Sequence, residues 1–400
     1  MYTGKNLRRL IAASLIVGSM TFMPLGHAEI QTYTGVGEYI MSDFETPDIA
    51  KQRAKQYAER NAQEQAGVYV NSYTKVENFQ VTEDEIITMT NGILSVTDVK
   101  YEMIPITEHA GIVWRATIQA NIDTDRVDEW ISKGVSERSE LVAKNQELQK
   151  AIDDQEKQIA ELKKRLESVK TTKEEETLKT KFEEADKVFL SNQKVQEGND
   201  QFPWDKDLAL GLYNEAIELN PNNGSAYFNR GCVYIEFQQY SEAVNDFTKA
   251  MSLNVDSAVF YNNFGYALTK LGQYDRAENY LKKAVALNPE YSEAYNNLGY
   301  LYINIKKFST ALEYLKKAES MNTANDTIYA NLGVAYFELH DYENALYNLD
   351  NSIELNPNVS DTLRLRAMCY RILGNDKMAE IDDERASELE NGTAELLPVG

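Results

Sequence analysis

A period of 34 residues runs through the second half of the chain. Gly231, Gly265, Gly299 and Gly333 are each 34 apart, and so are Ala243, Ala277, Ala311 and Ala345. Tyr227, Tyr261, Tyr295 and Tyr329 keep the same step, as do Tyr240, Tyr274, Phe308 and Tyr342, and Phe247, Leu281, Leu315 and Leu349. Registers that agree over four copies restrict a chain to repeated supersecondary units. Each unit is too small to bury its own apolar face, so its stability comes from stacking on the next.

The spacing inside a copy identifies the unit. Tyr295, Leu298 and Tyr302 lie at i, i+3 and i+7, one face of a helix, and Ala311, Leu315 and Ala318 mark a second helix. The glycine and the first alanine of each copy are expected where the two helices cross, since a larger side chain would force the backbones apart. Each large side chain buried by stacking contributes roughly 1.5–3 kcal/mol. Ser225, Ser257, Ser292 and Asp326 are expected to cap first helices, and Ser241, Asp275 and Ser309 second helices. Asn220-Pro221, Asn288-Pro289 and Asn356-Pro357 stop second helices, because proline cannot continue one. Full repeats fall at 224–257, 258–291, 292–325 and 326–359. A degenerate fifth at 360–393 has Leu363 and Ala367 in place of the aromatic and the glycine, and its Asp382, Asp383 and Glu384 suit a solvated cap. A further degenerate unit, 185–223, keeps Ala209, Tyr213, Ala216 and Pro221 in register. It follows a polar helix around Ala185–Glu197 and an irregular segment Gly198–Trp204.

Quoted as they stand, Tyr295, Leu298, Gly299, Tyr302, Ala311, Leu315 and Ala318 resemble the tetratricopeptide-repeat (TPR) family, over about half of the chain. The resemblance implies an all-α superhelix (an α-solenoid) whose groove, lined by the first helices, holds a peptide or helix of a partner protein. On the groove-lining positions of the family it places Phe228, Cys232, Ile235 and Glu236; Asn262, Tyr266, Thr269 and Lys270; Glu293, Asn296, Tyr300, Ile303 and Asn304; Ala330, Val334, Phe337 and Glu338; and Arg364, Met368 and Arg371. The candidates for partner contact are Phe228, Ile235, Asn262, Tyr266, Lys270, Asn296, Tyr300, Asn304, Phe337, Arg364 and Arg371. Tyr266 and Tyr300 are rigid amphipathic anchors of the kind that dominate interfaces. Asn262 and Asn296 are expected to hydrogen-bond a peptide backbone, whereas Asn229, Asn263, Asn297 and Asn331 are expected to be structural. Some relatives grip a C-terminal carboxylate with Lys, Arg and Asn, and that pattern is not present at Cys232, Tyr266, Tyr300 and Val334.

Between Glu137 and Lys170 the composition shifts to Glu, Lys, Gln and Leu. Leu141, Leu148, Leu162 and Val169 fit one heptad core position, and Ile152, Ile159 and Leu166 the other, with Gln155 and Asn145 as polar exceptions. This predicts a coiled coil and linker helix at 135–184, with 171–184 as a solvated continuation. A seam so short needs a partner strand, so a homo-oligomer is expected; the alternative is a single charged helix linking two domains.

Residues 29–134 read as a compact α+β domain. Thr34–Met41 is a strand, and Pro47–Ala66 a helix with Ala50, Ala54, Tyr57, Ala58, Asn61, Ala62 and Gln65 on one side. Gly67–Phe79 returns to β-formers, Thr82–Thr90 is a short helix, Ile93–Ile104 and Ile112–Ile122 are paired strands turning at Glu108–Gly111, and Asp125–Ile131 is a closing helix. Strand, Ala-rich helix, then Gly67-Val68-Tyr69-Val70-Asn71-Ser72 resembles the N-terminal domain of the flagellar assembly protein T family. That resemblance implies a bacterial envelope setting and a protein–protein role.

Lys5, Arg8 and Arg9, the apolar run Leu10–Met23 and Gly26-His27-Ala28 form an export signal at 1–28, with cleavage expected after Ala28 and a periplasmic or secreted product. A net charge of -22 excludes phosphate backbones as ready partners. Cys232 and Cys369 are read as buried apolar residues. Beyond the signal, His109 and His340 fall in different domains, and neither a phosphate loop nor a dinucleotide fingerprint is present. No enzyme, cofactor or metal is expected. The layout of signal, coiled coil and repeats also resembles bacterial cell-division coordinators. The whole reads as an exported scaffold that binds partner proteins through the repeat groove. The alternative is an oligomeric structural or cell-wall-associated envelope component acting through the coiled coil and N-terminal domain, with 394–400 as a tail.

Overall fold

The computed structural model describes residues 30–41, 45–76, 81–106, 111–123, 127, 135–169, 171–322 and 325–392. The signal 1–28, the tail 394–400 and all of the expected closing helix but Val127 lie outside them. The chain divides into two units, Met1–Met41 with Thr46–Arg138, and Ser42–Glu45 with Ser139–Gly400.

In the first unit, β1 (Ile30–Met41), β2 (Ser95–Ile106) and β3 (Gly111–Asp123) form an antiparallel sheet in the order β1-β3-β2. Helix α1 (Pro47–Val76) lies on one face. Its stripe Ala50, Ala54, Ala58, Ala62, Ala66 and Val70, at i+4 steps, is fully buried together with Ala116, Ile118, Ala120 and Ile122 of β3. Small residues bring helix and sheet close: a Cβ on Gly35 would fall 2.0 Å from the Ala58 carbonyl oxygen, and one on Gly37 2.3 Å from that of Ala54. The Gly35-Val36-Gly37 run is therefore a packing device. Helix α2 (Glu83–Ile93) starts in a capping box between Thr82 and Glu85.

Gly67–Phe79 was expected as a strand, and the structure corrects this. Helix α1 continues to Val76, and Val70 extends the buried stripe one further i+4 step from Ala66. Burial on the sheet overrides the local β-propensity of Val68, Tyr69 and Val70. The strand on which the resemblance to flagellar assembly protein T rested is thus a helix.

The described residues of the second unit form a run of helices, the first of which begins at the end of the first unit: α3 (Val135–Ser168), α4 (Thr172–Gln201), α5 (Lys206–Leu219), α6 (Gly224–Glu236), α7 (Tyr240–Ser252), α8 (Ala258–Lys270), α9 (Tyr274–Leu287), α10 (Ser292–Asn304), α11 (Phe308–Met321), α12 (Asp326–Glu338), α13 (Tyr342–Leu355), α14 (Ser360–Ile372) and α15 (Asp376–Glu390). The heptad seam is occupied from within the chain. Ile152, Ile159, Leu162 and Leu166 of α3 are buried against Leu178, Phe182 and Phe189 of α4, and Asn192 Nδ2 donates to Gln155 Oε1 at 3.1 Å. Helix α4 folds back along α3 and supplies the strand that the seam needs. Residues 171–184 are solvated over most of their length, as expected, but they are not a continuation of α3: they open α4, whose Leu178 and Phe182 are buried in the seam. Gly198–Trp204 is not irregular at its start either, since α4 runs on to Gln201 with Gly198 buried beneath the Tyr213 ring.

Pairs α6/α7 to α14/α15 are the expected repeats. A Cβ on Gly231, Gly265, Gly299 or Gly333 would meet Phe247, Leu281, Leu315 or Leu349 at 2.4–2.6 Å. Ser257 caps α8, but Asn223 and Asn325 cap α6 and α12 in place of Ser225 and Asp326, and α10 begins at Ser292 without a side-chain cap. Second helices α7, α9 and α11 begin without a side-chain cap, and Ser241, Asp275 and Ser309 sit one residue inside them.

Candidate partner-binding face

The ninth and thirteenth positions of α8 and α10 are Tyr266 and Lys270, and Tyr300 and Asn304; the tyrosines are half-buried, and Lys270 and Asn304 are exposed. Tyr266 of α8 and Tyr300 of α10 come together, their ring centroids 6.4 Å apart. Tyr240, at the start of α7, meets Tyr266 edge-on at 6.2 Å. Lys270 Nζ stands 5.5 Å from the Tyr240 centroid and 5.8 Å from that of Tyr300. Burial disfavours the Lys270 ammonium, but Tyr300, Tyr266 and Tyr240 outweigh it and hold the group above the usual lysine range. Burial pushes the Tyr266 hydroxyl up, so it remains a neutral donor. Three rings from successive repeats thus surround one exposed cation. This arrangement offers stacking area, hydroxyl donors and a positive charge to a chain laid across the repeats.

The other candidates are placed differently. Asn262 and Asn296 are 4% and 8% exposed and belong to a ladder between first helices. Asn297 Nδ2 donates to Asn262 Oδ1 at 2.8 Å, and Asn331 Nδ2 to Asn296 Oδ1 at 2.9 Å. Asn229 reaches Asn199 Oδ1, and Asn263 reaches Cys232 Sγ. The sixth-position asparagines are structural, and Asn297 and Asn331 engage the side-chain oxygens of Asn262 and Asn296 that were expected to meet a peptide. Phe228 lies between Phe247 and Phe260, at 6.0 and 5.8 Å, and Ile235 packs on the same core. Both are core-facing. Asn304 is exposed, with its Nδ2 on the Tyr300 carbonyl at 2.8 Å. Phe337 packs edge-on against Tyr342 at 5.6 Å. Arg364 pairs with Glu390 and Asp383, and Arg371 with Asp383, so both tie α14 to the terminal helix.

Sequence reasoning passed over Tyr240 as a site residue. Its 34-residue recurrence with Tyr274, Phe308 and Tyr342 is the signal in the sequence that marks it. The opposite face carries a second regular feature, Lys283 Nζ 3.9 Å over Tyr261 and Lys317 Nζ 4.3 Å over Tyr295. Cys369 is buried, which pushes its thiol up to about 11. Among the described residues no cluster of His, Cys, Asp and Glu could hold a metal ion, and no helix is long and apolar enough to cross a membrane.

Tetratricopeptide-repeat family models match residues 212–245, 262–326 and 327–359. The C-terminal region is built of tetratricopeptide repeats. Over 70 residues the chain is 39% identical to human tetratricopeptide repeat protein 28, covering 18% of this chain and 3% of that one. The aligned stretches span only 3 to 9% of the curated relatives' own lengths. Among solved structures, the array is similar to YrrB, described as a TPR protein with an unusual peptide-binding site (28% identity, TM-score 0.35, covering 42% of this chain and 88% of that). It is also similar to PilW, described as a type IV pilus biogenesis factor (24% identity, TM-score 0.45, covering 51% and 95%).

Proposed function

We propose that this protein is an exported bacterial envelope scaffold that recruits a partner protein through the first-helix groove of its TPR array and performs no chemistry of its own. The observation that carries the binding role is the Tyr240–Tyr266–Tyr300 group around Lys270, a polar-tipped aromatic surface at the centre of the array. Aromatic side chains of limited freedom, grouped at the middle of a surface, are where binding energy concentrates. The export reading rests on the signal pattern of residues 1–28. Self-association through α3 has narrower support, because Ile152, Ile159, Leu162 and Leu166 are already covered by α4.

The test uses the full chain, expressed with its leader and crosslinked in intact bacteria. A partner captured by the parent should be lost with Tyr266→Ala and Tyr300→Ala combined, and retained with Lys283→Ala on the opposite face. Retention of the partner by the double variant would overturn the groove reading. Recovery of the protein from the cytoplasm with residues 1–28 intact would overturn the export reading.

A further inference from the structure

The cation at the centre of the tyrosine group has no acid to answer it. Lys270 is exposed, and the groups that hold its ammonium are Tyr300, Tyr266 and Tyr240. No carboxylate pairs with it among the described residues. Its neighbours in the array are paired: Lys206 meets Glu236 at 2.7 Å, Arg230 meets Asp246 at 2.7 Å, and Lys283 meets Asp256 at 3.4 Å. The rings already turn their electron-rich faces to the ammonium. A second cation entering the group would meet like charge. An anion would gain the ammonium and the tyrosine hydroxyl donors together.

Two repeats further on, Glu338 of α12 occupies the position that Lys270 holds in α8, with the neutral Asn304 of α10 between them. Glu338 is exposed and forms no ion pair among the described residues. The hairpins that carry the two charges are built alike: a Cβ on Gly265 or Gly333 would fall 2.6 Å from Leu281 Cγ or Leu349 Cδ2. Equivalent positions of such stacked copies lie along one wall. That wall offers a positive, a neutral and a negative point in order. Packed helices lie about 8–10 Å apart, so two steps separate the charges by roughly 16–20 Å. An extended segment advances about 3.3 Å per residue and spans that distance in about five or six residues.

We propose that the groove takes an extended segment of a partner protein that seats an acidic residue at Lys270 and a basic residue, about five or six positions away, at Glu338. This rests on the groove reading above and adds the chemistry of the occupant. The net charge of -22 draws basic segments toward the chain, and the one cation of the wall then sets where the segment's acid comes to rest. The wall also selects the register. A shift of one repeat toward α14 sets the acid against Asn304 and the base against the apolar Ile372, which is 50% exposed. A shift toward α6 sets the acid against Glu236 and the base against Asn304.

The test is selection of a phage-displayed library of random dodecapeptides on immobilised full-length protein. The selected pool is expected to share an acidic and a basic residue about five or six apart, in one order throughout. Selection on Lys270→Glu should put a basic residue in place of the acidic one, and selection on Glu338→Lys an acidic residue in place of the basic one. For one selected peptide, synthesised with a fluorophore, Lys270→Glu should weaken binding roughly tenfold. Exchanging the peptide's acidic residue for lysine should restore it, and restoration also shows that the variant folds. An empty pool, a pool without the charge pair, or one that both charge variants leave unchanged would overturn the proposal. The crosslinking in intact bacteria separates this from the groove reading. A partner lost with Tyr266→Ala and Tyr300→Ala combined, but held equally by Lys270→Glu, would remove the charge register and leave the groove standing.

Discussion

The turn between the two helices of each repeat is held by one residue of positive φ. Gln238 (57°), Gly272 (72°), Lys306 (60°), His340 (64°) and Gly374 (81°) follow one another at the repeat period. A left-handed conformation costs a non-glycine residue roughly 1–2 kcal/mol, so Lys306→Gly is expected to stabilise the protein by about 1 kcal/mol, read as a higher urea midpoint. The helix crossings predict the opposite sign. A methyl on Gly299 would fall 2.4 Å from Leu315 Cγ, so Gly299→Ala should destabilise by about 1–3 kcal/mol in the same assay. The crossing glycines were legible because their spacing is the period itself. The turn residues were not, since Gln, Lys and His share no chemistry that marks a left-handed site. Asn262 and Asn296 show a related limit. Their helical positions were read correctly, but the sequence does not say that the next asparagine, Asn297 or Asn331, reaches them first.

At the level of elements, legibility followed the length of the periodic signal. The repeat helices were plain because each is repeated, whereas α1 was cut short because a few β-formers outweighed a single further i+4 step. Heptad periodicity fixed the buried face of α3 but not what covers it. The covering helix α4 is rich in charge, with Leu178, Phe182 and Phe189 as its buried apolar residues toward the seam. Ile159 is 1% exposed, so Ile159→Ala should cost about 2–5 kcal/mol. Hydrogen exchange should show the loss in α3 and α4, with the native mass in solution unchanged. A lower mass would mean that the seam also joins chains. The missed helical course of Gly198 has a numerical cause: it precedes Gly231 by 33 residues, one short of the period, and so fell out of register.

Across the array, the ends differ from the middle at one position. Inner first helices carry Phe264, Leu298 and Leu332, all buried. At the corresponding place the first and last carry arginine. Arg230 binds Asp246 at 2.7 and 2.8 Å and Asn214 at 2.7 Å, and Arg366 binds Asp382 at 2.7 and 2.8 Å and Asp350 at 2.8 Å. These forked pairs are geometrically demanding and cannot shift to a new neighbour. Because stability is a sum over neighbouring interfaces, removal of α14 and α15 should lower exchange protection most in α12 and α13 and progressively less toward α6. Uniform loss across all helices would contradict this. The surface that gathers Tyr240, Tyr266 and Tyr300 was only partly legible for the same reason that the array is cooperative: it is made by adjacency of units, which a list of positions within one unit does not show.

The differing ends bear on how such a gene can change length. An unequal crossover within residues 258–359 would add or remove 34 codons between units that share the crossing glycine, the buried aromatic and the turn geometry, and the product should still stack. The same event between Arg230 and Asp246, or between Arg366 and Asp382, would part a half-buried guanidinium from its carboxylate. Drift in repeat number is therefore expected inside the array, with its two borders inherited intact.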